Sequence, residues 1–470
     1  MNELRYEDGG VKGINAAYIG GGSRGWAWGF MRDLAADRRM EGEVRLYDID
    51  RKAARNNAVI GARISAHSDA ASKWVYVTSG SLREALTGAD IVVISILPAT
   101  FKEMESDVHA PERYGVWQSV GDTVGPGGFM RAMRAIPMYV EIAEAIRDYA
   151  PKAWVINYTN PMGVCMRTLY EVFPEIKAFG CCHEVFGAQK LLADMLADLR
   201  GITGVSRREI KVNVSGLNHF TWFDSASYKG MDLFPLYEEF IQKYYETGFA
   251  EKDDNWMNNS FECAHRVKFD LFRRYGLIAA AGDRHLAEFM PNVYLTSPET
   301  VKGWKFGLTS VKWRFDDLEK RLAISESLVR GDTPVEITPS GEEGHLLIKA
   351  LLGLGDLVSN VNLPNKGQIE NLPREVVVET NAIFRGGEIR PVLAGALPPN
   401  LLPIVAEHAH NQENTVKAGL FCDYKLGLST FANDPSMRNV NLADAEELYI
   451  SMLKAQEAYL PEPWRKYVGL

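Results

Sequence analysis

The chain has 470 residues, of which 46% are apolar, 24% charged and 10% aromatic, a profile that excludes disordered, collagenous and disulfide-scaffold classes. Its 52 Lys and Arg against 61 Asp and Glu leave a formal charge of −9, which gives no electrostatic support to a nucleic-acid partner. The opening residues carry no apolar run of signal-peptide length, and no run of about 18 apolar residues occurs elsewhere, so a cytoplasmic protein without a membrane partner is expected.

Residues 14–19 read as a short buried strand, followed by Gly20, Gly21, Gly22, Ser23, Arg24 and Gly25 and then a helical pattern through Phe30, Met31 and Leu34. A second strand over residues 44–47 ends at Asp48, 23 residues beyond Gly25, the shape of a first β-α-β unit. The alternation continues with a buried strand over 91–97, a helix over 132–149 and a strand over 154–158 that runs into Asn160-Pro161. After Phe179-Gly180 the pattern changes: residues 210–214 are strand-like, and amphipathic helices are expected over 233–245, 261–275 and 443–459. The fold class is therefore α/β, a Rossmann-like doubly wound sheet over residues 1–195 joined to a mixed α+β lobe over 196–470. No Gly/Ser/Pro-rich linker separates the lobes, so the site is expected between them.

Gly20, Gly22 and Gly25 satisfy G-x-G-x-x-G, in which the glycines permit a tight turn, close approach of backbone to a pyrophosphate, and helix packing. The helix N-terminus would receive the anion, with Ser23 in the turn. Asp48 could accept hydrogen bonds from an adenosine ribose, favouring NAD over its 2′-phosphorylated form; otherwise it is a strand-end turn residue.

Cys165, Cys181, Cys182, Cys263 and Cys422 are too few and too irregular for a disulfide framework, and free thiols in a reducing compartment are expected. Cys182 and His219 lie 37 residues apart, each just after a strand-like segment. Together they could hold a divalent metal with positions left open for substrate oxygens; the plainer reading is a buried thiol and a hydrogen-bonded histidine.

Six segments in order resemble the family 4 glycoside hydrolases, the NAD- and divalent-metal-dependent glycosidases: Gly20-Gly21-Gly22-Ser23, Asp48-Ile49-Asp50, Gly125-Pro126-Gly127-Gly128, Asn157-Tyr158-Thr159-Asn160-Pro161, Cys182-His183-Glu184-Val185 and Gly216-Leu217-Asn218-His219. They span most of the first 290 residues. The resemblance implies an N-terminal lobe like that of lactate and malate dehydrogenases, NAD and usually Mn2+ as cofactors, Cys182 and His219 as the metal ligands, and a homodimer or homotetramer. Cys-His-Glu-Val is similar to the form found in α-galacturonidases, which implies a small uronide substrate such as pectin-derived oligogalacturonides. A neutral α-galactosidase or α-glucosidase, or an α-glucuronidase, is the alternative within the family. From another class come an NAD-dependent sugar or hydroxyacid dehydrogenase and a non-catalytic sugar or redox sensor.

The implied chemistry departs from the two-carboxylate scheme of most glycosidases. Hydride leaves C3, the C2 proton becomes acidic, the C1 substituent is eliminated, water adds and hydride returns, with no net oxidation. The resemblance puts the base at Asp270, with Tyr275 second, although Asp270 could simply pair with Arg273 or Arg274 along a helix. His183 stands where some relatives carry an acid; it could protonate the leaving oxygen or hydrogen-bond a sugar hydroxyl. Asn160 is expected at sugar hydroxyls, Arg284 at the uronate carboxylate, with Arg113 and Arg134 as further cations. Gly125-Pro126-Gly127-Gly128 reads as a loop near cofactor and substrate. Glu184 would repel a uronate and is not expected to touch its carboxylate. His67, His109, His265, His345, His408 and His410 receive no role.

Overall fold

The computed structural model describes residues 4–249 and 263–467. Strands β1 (Arg5–Glu7), β2 (Gly10–Ile19), β3 (Met40–Tyr47), β4 (Trp74–Thr78), β5 (Ile91–Ile94), β6 (Trp154–Asn157) and β7 (Lys177–Gly180) precede a hairpin of β8 (Ile210–Leu217) and β9 (Phe220–Tyr228), short strands β10 (Met231–Asp232) and β11 (Ile278–Ala279), and then β12 (Leu357–Pro364), β13 (Val377–Arg385) and β14 (Glu388–Pro391). The main sheet runs β14-β13-β12-β7-β6-β5-β2-β3-β4, with β1 on β2. Six adjacent members are parallel, and their order β4-β3-β2-β5-β6-β7 is that of a doubly wound dinucleotide-binding sheet. The expected α/β Rossmann class is therefore present.

β5 shows why this layer is buried on both faces. Ile91, Val92, Val93 and Ile94 are all at or below 1% exposure, a continuous apolar run under helices on either side. The helix Trp26–Ala36 follows the glycine turn, and Arg51–Ser65 starts where the Asp50 carboxylate accepts from the Ala53 N–H (3.0 Å).

The main sheet does not end near residue 195. Antiparallel β12 joins β7 through Asn362 opposite Gly180, and β13 and β14 follow, so residues 357–391 extend the N-terminal sheet. Between them the chain builds the second sheet of β8 to β11 and the helices Phe234–Tyr244, Arg266–Tyr275 and Asp283–Phe289. The helix expected over 261–275 is Arg266–Tyr275, with residues 261 and 262 outside the described residues. The one expected over 443–459 is Leu442–Ala455 followed by a separate turn of tighter helix, Glu457–Tyr459. Two long helices, Val311–Arg330 and Leu402–Phe421, were not anticipated.

Gly125-Pro126-Gly127-Gly128 is a further correction: it is the first turn of the helix Gly125–Tyr149 and not a loop. Proline is tolerated there because that N–H has no intrahelical partner. A Cβ on Gly128 would come within 2.5 Å of the Thr123 backbone and one on Gly127 within 2.8 Å of the Gly121 carbonyl, so the glycines seat the helix on the loop before it. Among the described residues no helix is long and apolar enough to cross a membrane, and the five cysteines form no disulfide.

Candidate active site

The glycine turn lies at the point where the sheet reverses direction between β2 and β5. Gly20 has φ +89°, and a Cβ on it would collide with the Ser95 carbonyl beyond β5. A Cβ on Gly22 would meet the Ala53 methyl at 2.6 Å and the Asp48 carboxylate at 2.8 Å. Buried Asn57 holds the turn by donating to the Gly21 (2.7 Å) and Ser23 (3.0 Å) carbonyls, and it was not anticipated. Gly25 precedes the helix Trp26–Ala36 with no side-chain cap, so its first N–H groups face outward as an anion cradle would require. Asp48 accepts from the Gly22 N–H and the Asp50 N–H, both at 2.8 Å, and so braces the turn.

A second group gathers at the carboxyl ends of the parallel strands, where ligands of such sheets bind. Asp122 comes from the loop before the helix Gly125–Tyr149, and His219 from the two-residue connection of β8 to β9 with φ +66°. His285 comes from the short helix Asp283–Phe289. One ligand atom from each lies within 4.8 Å of the others, and the two imidazole rings sit 3.7 Å apart between centroids. Thr123 donates to Asp122 (2.7 Å) and so accepts from His219 Nδ1 (2.9 Å), which leaves the lone pair on Nε2.

Electrostatics suit a cation. Burial and the neighbouring His285 push the His219 imidazole down to about 3, so it is neutral. Burial alone would raise the Asp122 carboxyl, but Arg131, His285 and His219 hold it well below the usual carboxylate range. A neutral imidazole and an ionised carboxylate are the forms a metal binds. His285 Nδ1 is buried without a hydrogen-bond partner among the described residues. Neither Asp122 nor His285 was singled out from the sequence; each lies within a few residues of a segment that was, Asp122 before Gly125 and His285 beside Arg284.

Cys182, His183 and Glu184 enter from the end of β7 at the start of the helix Glu184–Arg200. Burial, Glu379 and Glu184 push the Cys182 thiol well up, a disposition that a bound cation would reverse. Glu184 accepts from the Gly282 N–H (2.5 Å) and lies 3.7 Å from His285 Nε2. Burial works against the charged form of His183, but Glu342 at 3.2 Å, then Glu184 and Glu379, raise it to about 9. Trp26, the first residue of the dinucleotide helix, lies with its ring centroid 6.0 Å from that of His183, so the start of that helix packs against this group. Asn160 reaches Asp122 (3.4 Å), and its carbonyl accepts from Arg131 Nε (2.9 Å).

The remaining anticipated residues lie apart from this group or are committed elsewhere. Asp270 accepts from Tyr245 (2.8 Å), Tyr294 (2.7 Å) and Arg274 (2.5 Å); burial would raise it, but these donors hold its carboxyl low, which makes it a weak base. The pairing with Arg274 four residues on is the arrangement that helical spacing allows. Tyr275 packs on Trp222 with ring centroids 5.6 Å apart. The guanidinium of Arg284 is buried and donates to the carbonyls of Gly307 (3.1 Å) and Ser119 (2.6 Å) and to Thr309, tying three segments together. Arg134 is fully buried against Asp107, and Arg113 donates to Ser451 (3.2 Å) at the surface.

The model of family 4 glycosyl hydrolases matches residues 15–198, and that of the family's C-terminal domain matches residues 214–437. The chain belongs to the family 4 glycosyl hydrolases. This family 4 chain is 58% identical to an alpha-galacturonidase of Thermoanaerobacterium saccharolyticum, over 98% of its own length and 99% of the relative's. The crystal structure of Bacillus subtilis lplD superposes with a TM-score of 0.89 at 52% identity, covering 94% of this chain and 100% of that one. A 6-phospho-alpha-glucosidase from gut microorganisms, solved with NAD and Mn2+, shares the fold at a TM-score of 0.79 and 21% identity, covering 96% of this chain and 99% of that one.

Proposed function

We propose that this family 4 enzyme hydrolyses α-D-galacturonides, short pectin-derived oligomers, by NAD-assisted elimination, working in the cytoplasm as a homodimer or homotetramer. The observation that carries the chemistry is the cation-ready group, a neutral His219, an ionised Asp122 and His285 within ligand reach of one another, in a chain whose dinucleotide helix begins against His183. The near full-length identity to an alpha-galacturonidase supports the choice of sugar. Relatives of the neutral α-galactosidase and α-glucosidase type are the competing reading.

The residues present fit both cofactors. The backbone of Gly20, Gly22, Ser23 and Gly25 with Asp48 would hold NAD, and His219 with Cys182, Asp122 and His285 would hold a divalent cation. When bound, NAD+ would supply a hydride acceptor and donor for sugar C3, and a cation such as Mn2+ would supply Lewis acidity that makes the neighbouring C2 proton easier to remove. Glu184, beside His285, is the alternative to Asp270 for taking that proton. Both carboxyls are held low: burial would raise that of Glu184, but His285, His183 and His219 outweigh it and hold it at about 2, and Asp270 would first have to give up three donors. His183, protonated at neutral pH, has a proton to give the departing glycosidic oxygen. Asn160 orients sugar hydroxyls. The uronate charge is met by Arg131, with Arg284 adding its field from behind; among the described residues the Arg131 guanidinium makes one hydrogen bond, to the Asn160 carbonyl at 2.9 Å, and has no carboxylate within 4.0 Å.

The test is an assay of α-D-galacturonides and matched α-D-galactosides with NAD+ and Mn2+ supplied together or singly, following sugar release and NADH in one cuvette. Uronide cleavage needing both, without accumulating NADH and with deuterium incorporated at C2 in D2O, is expected. NADH accumulating without cleavage means a dehydrogenase, and a product without deuterium excludes the elimination.

A further inference from the structure

Glu379, on β13, is 1% exposed and comes from the C-terminal half of the chain, far in sequence from every residue assigned above. Its two carboxylate oxygens are divided between two asparagines: Oε1 accepts from Asn360 Nδ2 at 2.6 Å and Oε2 from Asn218 Nδ2 at 3.2 Å. Asn360 Nδ2 also donates to the Cys182 carbonyl at 3.2 Å. Asn218 immediately precedes His219 in the connection where His219 takes φ +66°, a conformation uncommon for a residue with a Cβ. One buried carboxylate thus ties the backbone of Cys182, through Asn360, to the turn that carries His219.

This juxtaposition depends on β12 and β13 completing the N-terminal sheet. Asn360 and Glu379 lie on neighbouring strands, and β12 is anchored to β7 by Asn362 opposite Gly180, two residues before Cys182. Cys182 and His219 come from two different sheets, and nothing in either segment alone sets their separation. A carboxylate can bridge them because each of its oxygens accepts independently and its side chain reaches both asparagines from a rigid strand.

We propose that Glu379 is the positioning residue that sets the spacing of the two metal-ligand candidates, Cys182 and His219, through Asn360 and Asn218. The inference rests on the metal reading above. Among the described residues Glu379 is hydrogen-bonded to neither Cys182 nor His219; its contribution through the two asparagines is preorganisation, which for groups behind metal ligands is commonly worth about 10- to 100-fold in affinity.

The test is Mn2+ affinity of the full-length protein, followed by the EPR signal of free Mn2+ during titration, with NAD+ affinity and thermal midpoint measured on the same samples. Glu379→Ala is expected to weaken Mn2+ binding by about 10- to 100-fold while NAD+ affinity holds. Glu379→Asp keeps the charge but loses one methylene of reach, and it is expected to weaken binding nearly as much. Glu379→Gln keeps the reach. Its oxygen accepts from Asn360, and when the Asn218 side chain turns, Asn218 Oδ1, now buried without a hydrogen-bond partner among the described residues, can accept from its amide, so most of the affinity returns. Should the alanine variant fail to fold, the aspartate and glutamine pair still decides the matter. Folded variants with unchanged Mn2+ affinity overturn the proposal, as does an aspartate variant that binds normally while glutamine fails, because charge and not position would then be the contribution. A wild-type protein that binds no Mn2+ overturns the metal reading itself, and this proposal with it.

Discussion

Two arginines one turn apart on the helix Gly125–Tyr149 have opposite surroundings. Arg134, fully buried, donates to the Pro98 carbonyl (2.9 Å), to both Asp107 oxygens (3.1 and 2.5 Å) and to Gln456 (2.5 Å), so all three of its guanidinium nitrogens have protein partners. Arg131, nearly as buried, gives one hydrogen bond to the Asn160 carbonyl and otherwise faces the region of Asp122. A network of this kind staples the C-terminal segment at Gln456 to the helix Gly125–Tyr149 and to Asp107. An incomplete one leaves guanidinium donors open to a polar ligand or to water.

Breaking the complete cluster should give the largest effect. Asp107→Ala strands a buried guanidinium, and a loss of about 3–5 kcal/mol in unfolding free energy is expected by denaturant titration. A loss below about 1 kcal/mol would mean water enters and the contrast with Arg131 is smaller than the geometry implies. His219→Ala, on the incomplete side, should reduce glycoside turnover at least about 1000-fold, near 4 kcal/mol of transition-state stabilisation, with the thermal midpoint little changed.

Glu288 sharpens the same contrast through pH. It accepts from the Val120 and Gly121 N–H groups at 2.7 Å each, shaping the loop that presents Asp122, and burial raises its carboxyl to about 8. An acid raised in the folded state binds more protons there than in the unfolded chain, so stability falls as pH rises from the ordinary carboxylate range through about 8 and is level above it. In metal-free protein, Glu288→Gln should flatten that slope and gain on the order of a few kcal/mol relative to wild type at pH 8. An unchanged slope would show that other groups set it. The smallest effect is expected from Arg131→Lys, which should reduce the preference for uronides over neutral galactosides by about 10-fold with little change in thermal midpoint, because lysine keeps the charge and loses the fork. Arg134→Lys should show the reverse, lowering the midpoint and sparing the preference.

Much of the fold was legible because it rests on local patterns. Apolar runs gave the parallel strands other than β4, and Gly20, Gly22 and Gly25 marked a turn that only residues lacking a Cβ can make. The site was legible in part. Cys182 and His219 lie near the cleft, whereas Asp270 is tied to two tyrosines and Arg274, and Arg284 is tied to backbone carbonyls. A carboxylate four residues before an arginine reads alike whether it works on a substrate or only on its neighbour. Asp122, His285 and Glu379 carried no comparable signal, since each matters for what it meets across the fold.

Sequence alone therefore determined the α/β class, the dinucleotide turn and the family resemblance, all of which depend on residues close together in the chain and on backbone permissiveness. Tertiary structure decided which charged groups converge. It brought Asp122, His219 and His285 within 4.8 Å of one another and sent residues 357–391 back to close the N-terminal sheet beside Cys182. Convergence of that kind is set by packing between distant segments, and a buried charge acquires its role from the partners that packing supplies.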